Sequence, residues 1–124
     1  MAPIYETNEL EERVILVAVC LDDEKDTYES LDELEELAKT AGATTVAKVI
    51  QNRDAFHPGT YVGKGKIEEI RLLAQELNAT GIVCDDELSP AQLKNLEDGL
   101  QLKVIDRTVM ILDILAARAS TKEG

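Results

Sequence analysis

The chain has 124 residues, with 13 Lys and Arg against 25 Asp and Glu and a formal net charge of −12. With 44% of its residues apolar and 31% charged, it has the size and make-up of one globular domain, which excludes disordered, collagen-like and low-complexity classes. No apolar run reaches the ~18–20 residues that cross a bilayer, and the acidic start MAPIYETNEL is not a signal peptide, so a cytoplasmic protein with no membrane span is expected.

Residues 1–12 read as an N-terminal extension and 13–124 as the domain. The unbroken, β-branched run Val14 to Leu21 suits a strand covered on both faces, as in a parallel sheet. Ser30 and Glu33 fit a capping box opening a helix in which Leu31, Leu34, Leu37 and Ala38 recur at helical spacing, with Gly42 as its stop. Thr44 to Ile50 predicts the next strand. A polar segment from Asn52 to Thr60, punctuated by Pro58 and Gly59, leads through Tyr61 and Val62 into Gly63, Lys64, Gly65 and Lys66. Ile67, Ile70, Leu73, Ala74 and Leu77 mark a helix ended by Asn78, and Gly81 to Cys84 a third strand. The next helix has a full start: Ser89 as N-cap, Pro90 at N1, Gln92 closing the capping box, and Leu88 with Leu93 as a hydrophobic staple. Leu102 to Ile105 predicts the last strand, and Thr108 caps a helix running to about Ala119.

This alternation predicts a three-layer α/β domain with a mostly parallel sheet of four to five strands flanked by helices. The last helix is apolar around more than one stripe, so either it packs on two sides or its second partner lies elsewhere. Self-association through residues 108–119 follows as an expectation. Cys20 and Cys84 sit in apolar runs without metal or redox spacing and read as reduced core residues.

The residues that carry chemistry are few. Gly59 to Gly65 invites a phosphate-loop reading, but three residues separate Gly59 from Gly63 and Gly65 follows Lys64, so it is not a Walker A loop. A tight strand-to-helix turn and an anionic contact, RNA phosphate included, both fit it. Asp85, Asp86 and Glu87 follow a strand end, where three carboxylates can hold Mg²⁺ or simply favour the helix that starts there; no metal site is expected, and a Mg-dependent nucleotide-binding domain using these three is the alternative reading. His57 beside Phe56 and Pro58 has no nucleophile partner, and with Tyr61 offers modest stacking capacity for a base. Asp106 and Arg107 read as an ion-paired turn, and the acidic helix at residues 30–41 as a solvated face or a protein contact.

A net charge of −12 argues against nucleic acid, yet it is unevenly spread. Residues 1–50 hold 4 basic and 13 acidic residues, residues 51–124 hold 9 and 12, and the stretches Arg53 to Lys66 and Arg107 to Lys122 are each +2.

The segments YVGKGK (61–66), DDELSPAQLKNLE (85–97), VIDRT (104–108), ILDI (111–114), ARA (117–119) and TKEG (121–124) resemble, in order and spacing, the N-terminal domain of the HflX GTPases, a likeness that spans about residues 12–124. The resemblance implies a domain without catalysis of its own that docks on the large ribosomal subunit, in a parent GTPase that splits or rescues stalled ribosomes. It further implies that GTP and Mg belong to a Ras-like G domain absent from this chain, reached through a helical hairpin that follows the last helix and covers its apolar side. It does not say which residues touch RNA. The candidates drawn from the positive and aromatic stretches are Arg53, His57, Tyr61, Lys64, Lys66, Arg107 and Arg118.

Overall fold

The computed structural model describes the backbone of residues 11–123 and the side chains of residues 11–119, so most of the expected N-terminal extension lies outside the described residues. Eight elements alternate: β1 (Glu12–Cys20), α1 (Glu24–Thr40), β2 (Ala43–Asn52), α2 (Lys64–Leu77), β3 (Gly81–Cys84), α3 (Pro90–Leu100), β4 (Lys103–Asp106) and α4 (Arg107–Glu123). The four strands form one sheet in the order β2-β1-β3-β4, and every neighbouring pair is parallel.

The sequence of β1 explains its central place. Ile15, Val17 and Val19 face one layer of the core and Val14, Leu16 and Ala18 the other, so a run without alternation serves both faces. Connections of one hand then sort the helices. The step from β1 to β2 runs one way along the sheet and the step from β2 to β3 returns across β1, which places α1 and α2 on opposite faces. Ile70 and Ala74 of α2 join Leu96 and Leu100 of α3 on the first face, while Leu31, Leu34 and Ala38 of α1 join Met110 of α4 on the second. The result is the expected three-layer α/β fold, with four strands among the described residues. Gly99 lets α3 approach α2, since a Cβ there would come within 3.1 Å of Ile67 Cγ2.

Helix ends follow local chemistry, with two corrections. The α3 start is as the sequence predicts: Ser89 and Gln92 close both arms of a capping box at 3.0 and 3.1 Å behind Pro90. Asn78 ends α2 at φ 57, and Gly42 follows α1 at φ 90. However, α1 starts at Glu24, capped by Asp23, whose side chain accepts from the Lys25 N–H at 2.9 Å. Ser30 therefore lies inside the helix and caps nothing. Likewise α4 starts directly at Arg107: Asp106, not Thr108, supplies the cap, its Oδ1 accepting from the Val109 N–H at 2.9 Å. The helix also continues past Ala119 to Glu123.

Only one side of α4 is covered. Met110 is buried and Ile114 packs partly against the core, but Leu112 and Leu115 remain 58% and 54% exposed. Among the described residues no helix is long and apolar enough to cross a membrane.

Candidate functional site

Because all four strands are parallel, all four end on one rim, and each of the four helices begins there. In open α/β sheets this rim is where ligands meet the protein. The order β2-β1-β3-β4 gathers Arg53, His57, Tyr61, Lys64, Lys66 and Arg107 on or beside it. Arg118 does not join them: it is exposed on α4, eleven residues or ~16 Å of helix from Arg107.

The segment from β2 to α2 forms the basic part of the rim. Arg53 donates its backbone N–H to the Cys20 carbonyl at 3.1 Å and its Nε to Ala55 O at 2.9 Å. Its guanidinium lies against Gly63, where a Cβ would meet Arg53 Nη1 at 3.1 Å. Gly63 is the N-cap of α2 and brings no side chain to the helix end; the first turn holds Lys64 and Lys66 and no acidic residue. This inverts the usual preference for carboxylates at the positive end of a helix and leaves a locally cationic pole. Lys64 is exposed, whereas Lys66 is partly buried and paired with Glu69 at 3.1 Å. Between β1 and β2 an open cleft of about 400 Å³ sets Arg53 among Asp22, Glu24 and Asp54, so the cationic pole is bounded on that side by carboxylates.

His57 builds the loop. Its Nδ1 accepts from the Gly59 and Thr60 N–H groups at 3.0 and 3.1 Å, which leaves the ring proton on Nε2. Its backbone pairs with Tyr61 in an isolated antiparallel bridge. From α3, Gln92 Nε2 donates to His57 O at 3.0 Å and Asn95 Nδ2 to Gly59 O at 2.9 Å. The imidazole is thus a turn organiser. Sequence reading could not find Gln92 and Asn95 in this role, because their partners lie 35 and 36 residues away.

Two candidate contacts are corrected. Tyr61 is fully buried: its hydroxyl accepts from the Val19 N–H at 3.1 Å and donates to Asp86 Oδ2 at 2.6 Å, and its ring meets Phe56 edge-on at 5.2 Å. It cannot stack on a base. Arg107 is held by Asp85 Oδ1 at 2.7 Å and by Ser30 O at 2.8 Å, with Glu33 at 3.8 Å, so its partner in the ion pair is Asp85 and not the adjacent Asp106. Ser30 Oγ completes the set by donating to Asp85 Oδ2 at 2.7 Å.

Asp85, Asp86 and Glu87 do not converge. Asp85 turns to α1 and α4, Asp86 to Tyr61, and Glu87 to solvent, and among the described residues no group of His, Cys, Asp and Glu is arranged to hold a metal. Asp85 and Asp86 are each engaged within the protein, on different elements. Burial raises the Asp86 carboxyl above its ordinary value, partly offset by the Tyr61 hydrogen bond. Burial likewise pushes the Cys84 thiol and the Tyr61 phenol up, and Cys20 and Cys84 are both free and buried. Asp106, buried and unremarked in the sequence as a cap, also accepts from the Leu88 N–H at 2.8 Å, fixing the start of α3 from β4.

The chain is therefore an open, all-parallel α/β domain whose strand-end rim is fastened by internal hydrogen bonds and carries one cationic helix pole. Over residues 28–116 it matches the family described as GTP-binding GTPase N-terminal and belongs to that family, and it aligns with part of proteins named GTPase HflX. GTPase HflX of Lacrimispora saccharolytica is 68% identical over 124 residues, covering 100% of this chain and 29% of the relative. GTPase HflX of Caldanaerobacter subterraneus is 45% identical over 113 residues, 91% of this chain and 26% of the relative. The chain thus spans between a quarter and a third of the length of these relatives. A crystal structure of an SsGBP mutation variant superposes with a TM-score of 0.63 at 17% identity, covering 84% of this chain and 32% of that one, a likeness of fold alone.

Proposed function

We propose that this domain is the non-catalytic docking module of a cytoplasmic HflX-type GTPase, and that it engages the RNA of the large ribosomal subunit. In this reading residues 13–124 are the N-terminal α/β domain behind a short extension. GTP hydrolysis, with its Mg, belongs to a G domain outside this chain, in a parent that splits or rescues stalled ribosomes. α4 continues into a helical hairpin that covers Leu112 and Leu115. The ribosome enters this reading from the resemblance to the HflX GTPases, and the observation that supports the RNA contact is the α2 pole. Lys64 stands exposed at a helix N-terminus without an acidic first turn, beside Arg53 and Lys66. A cationic pole of this kind neutralises phosphates, which gives affinity and register without base specificity.

The test is cosedimentation of the purified chain with large ribosomal subunits over a salt series. Weak binding that falls with rising salt is expected, and Lys64→Glu with Lys66→Glu should reduce it about tenfold or more. Binding that the double variant leaves unchanged refutes this surface, and a wild-type chain that never binds refutes the docking reading.

A further inference from the structure

Tyr61 is a bulky residue where the backbone asks for none. Its φ is 69, in the left-handed region that favours glycine, although glycines stand nearby at positions 59, 63 and 65. Such a conformation persists only where the surroundings over-determine it. Here they do. The side chain reaches from the loop into the gap between the ends of β1 and β3, where ligands enter many open sheets, and fills it. The hydroxyl is satisfied on both sides, taking the Val19 N–H of β1 and giving its proton to Asp86 beyond β3. Val62, also fully buried, follows, and then Gly63, whose N–H is held by Gln51 Oε1 at 2.9 Å. The cationic first turn of α2 thus begins at Lys64, three residues after a side chain anchored in the core.

We propose that Tyr61 is a positioning residue: together with Asp86 it latches the segment 53–63 to the sheet and so holds the α2 pole in a preformed shape for its anionic partner. This rests on the reading of that pole as a phosphate contact. Gln92 and Asn95 of α3 and the His57 turn shape the loop, but each acts on the backbone of residues 57–60 alone. Among the described residues Tyr61 is the one whose side chain joins the loop both to β1 and to the turn that follows β3. The Asp86 carboxylate is the required acceptor, so a neutral acceptor of the same shape should serve as well, and a methyl group should not.

Amide hydrogen exchange read by mass spectrometry on the whole chain tests the latch, with Tyr61→Phe, Asp86→Ala and Asp86→Asn beside the wild type. Tyr61→Phe and Asp86→Ala are expected to speed exchange across residues 57–63 about tenfold or more, while Asp86→Asn stays within about threefold of wild type. Amides of β1 and β3 report global opening and separate a loosened loop from a weakened fold; if Tyr61→Phe does not fold, the two Asp86 variants decide. Loop exchange left unchanged by both Tyr61→Phe and Asp86→Ala overturns the latch, as does loosening by Asp86→Asn equal to that by Asp86→Ala. Large-subunit cosedimentation of the same proteins gives the second readout, in which the loosened variants should bind about fivefold more weakly with Lys64 and Lys66 intact. Full binding by loosened variants overturns the positioning role. A wild-type chain that never binds overturns the phosphate reading, and leaves the exchange result to decide the latch.

Discussion

Asp85 and Asp86 are adjacent in the chain and serve opposite faces of the sheet. Successive side chains at a strand end alternate, so one carboxylate meets Ser30 and Arg107 while the other meets Tyr61. An acidic run reads as one cluster in sequence, and the pleat divides it. The same distance from local pattern hid Tyr61: its partners lie 42 and 25 residues away, and no spacing rule reaches them. By contrast the placement of Lys64 and Lys66 in the first turn of a helix was legible, because Gly63 and the apolar spacing from Ile67 are local signals, although Lys66 folds back on Glu69 and is partly buried. The buried titratable groups of this rim set an alkaline limit. Unfolded, a thiol ionises near its ordinary value of 9.0 and a phenol near 10.0; folded, Cys84 and Tyr61 both stay protonated well above those values because burial opposes the anion. The unfolded chain therefore loses protons that the folded chain keeps. Stability contributed by these two groups is full below about pH 9 and falls as pH rises beyond it. Urea midpoints measured from pH 7 to 11 should decline above pH 9. Cys84→Ala should flatten the first part of that decline and Tyr61→Phe the part above pH 10. A wild-type midpoint constant to pH 11 contradicts the assignment.

Element boundaries show which sequence signals decide and which merely fit. The α3 start was legible because cap, proline and box lie within four residues and nothing distant competes. The Ser-x-x-Glu pattern at Ser30 is equally local, yet it fits the interior of a helix as well as its start. Asp23 stands just after β1 with Glu24 and Asp26 in the first turn to meet the helix dipole, and it caps first. Ser30 is then left to bond Asp85, a use set by a contact 55 residues away. At α4 Thr108 fits a cap locally, but the cap lies two residues earlier, at Asp106. Asp106 prevails because its buried carboxylate satisfies two N–H groups, Val109 on its own helix and Leu88 ahead of α3. Urea denaturation of three variants ranks these roles. Ser89→Ala should cost about 1 kcal/mol, the usual loss of a cap. Asp106→Ala should cost about 2–3 kcal/mol, since it leaves two N–H groups unpaired, one of them buried. Thr108→Ala should stay within about 0.5 kcal/mol, as befits a residue that caps nothing. Equal losses at Asp106 and Thr108 would contradict the boundary.

At the scale of the whole molecule, the sheet's two covered faces were legible from β1 alone, but what lies outside α4 was not, because an apolar stripe says that something covers it and not what. Ile111, Leu112 and Leu115 present that stripe to solvent, on a chain of net charge −12. Two interactions are thereby separated by the sign of their salt dependence. Docking of the α2 pole on phosphates releases counterions and weakens as salt rises. Pairing of two copies through α4 is driven by apolar burial and opposed by the repulsion of like net charges, so salt that screens the repulsion strengthens it. Sedimentation velocity of the isolated chain across a concentration series at about 50 and 500 mM salt, between which the Debye length shortens about threefold, separates the two. The wild type should associate more at the higher salt. The neutral double change Leu112→Gln with Leu115→Gln, which keeps helix propensity and net charge, should stay monomeric at both, with its large-subunit binding unchanged. A wild-type chain that is monomeric at every concentration and salt refutes self-association. A double variant that associates like the wild type moves it away from α4. On the proposed reading a hairpin after α4 would cover the stripe, and a chain extended through it should lose the high-salt association while keeping the salt-sensitive binding to large subunits.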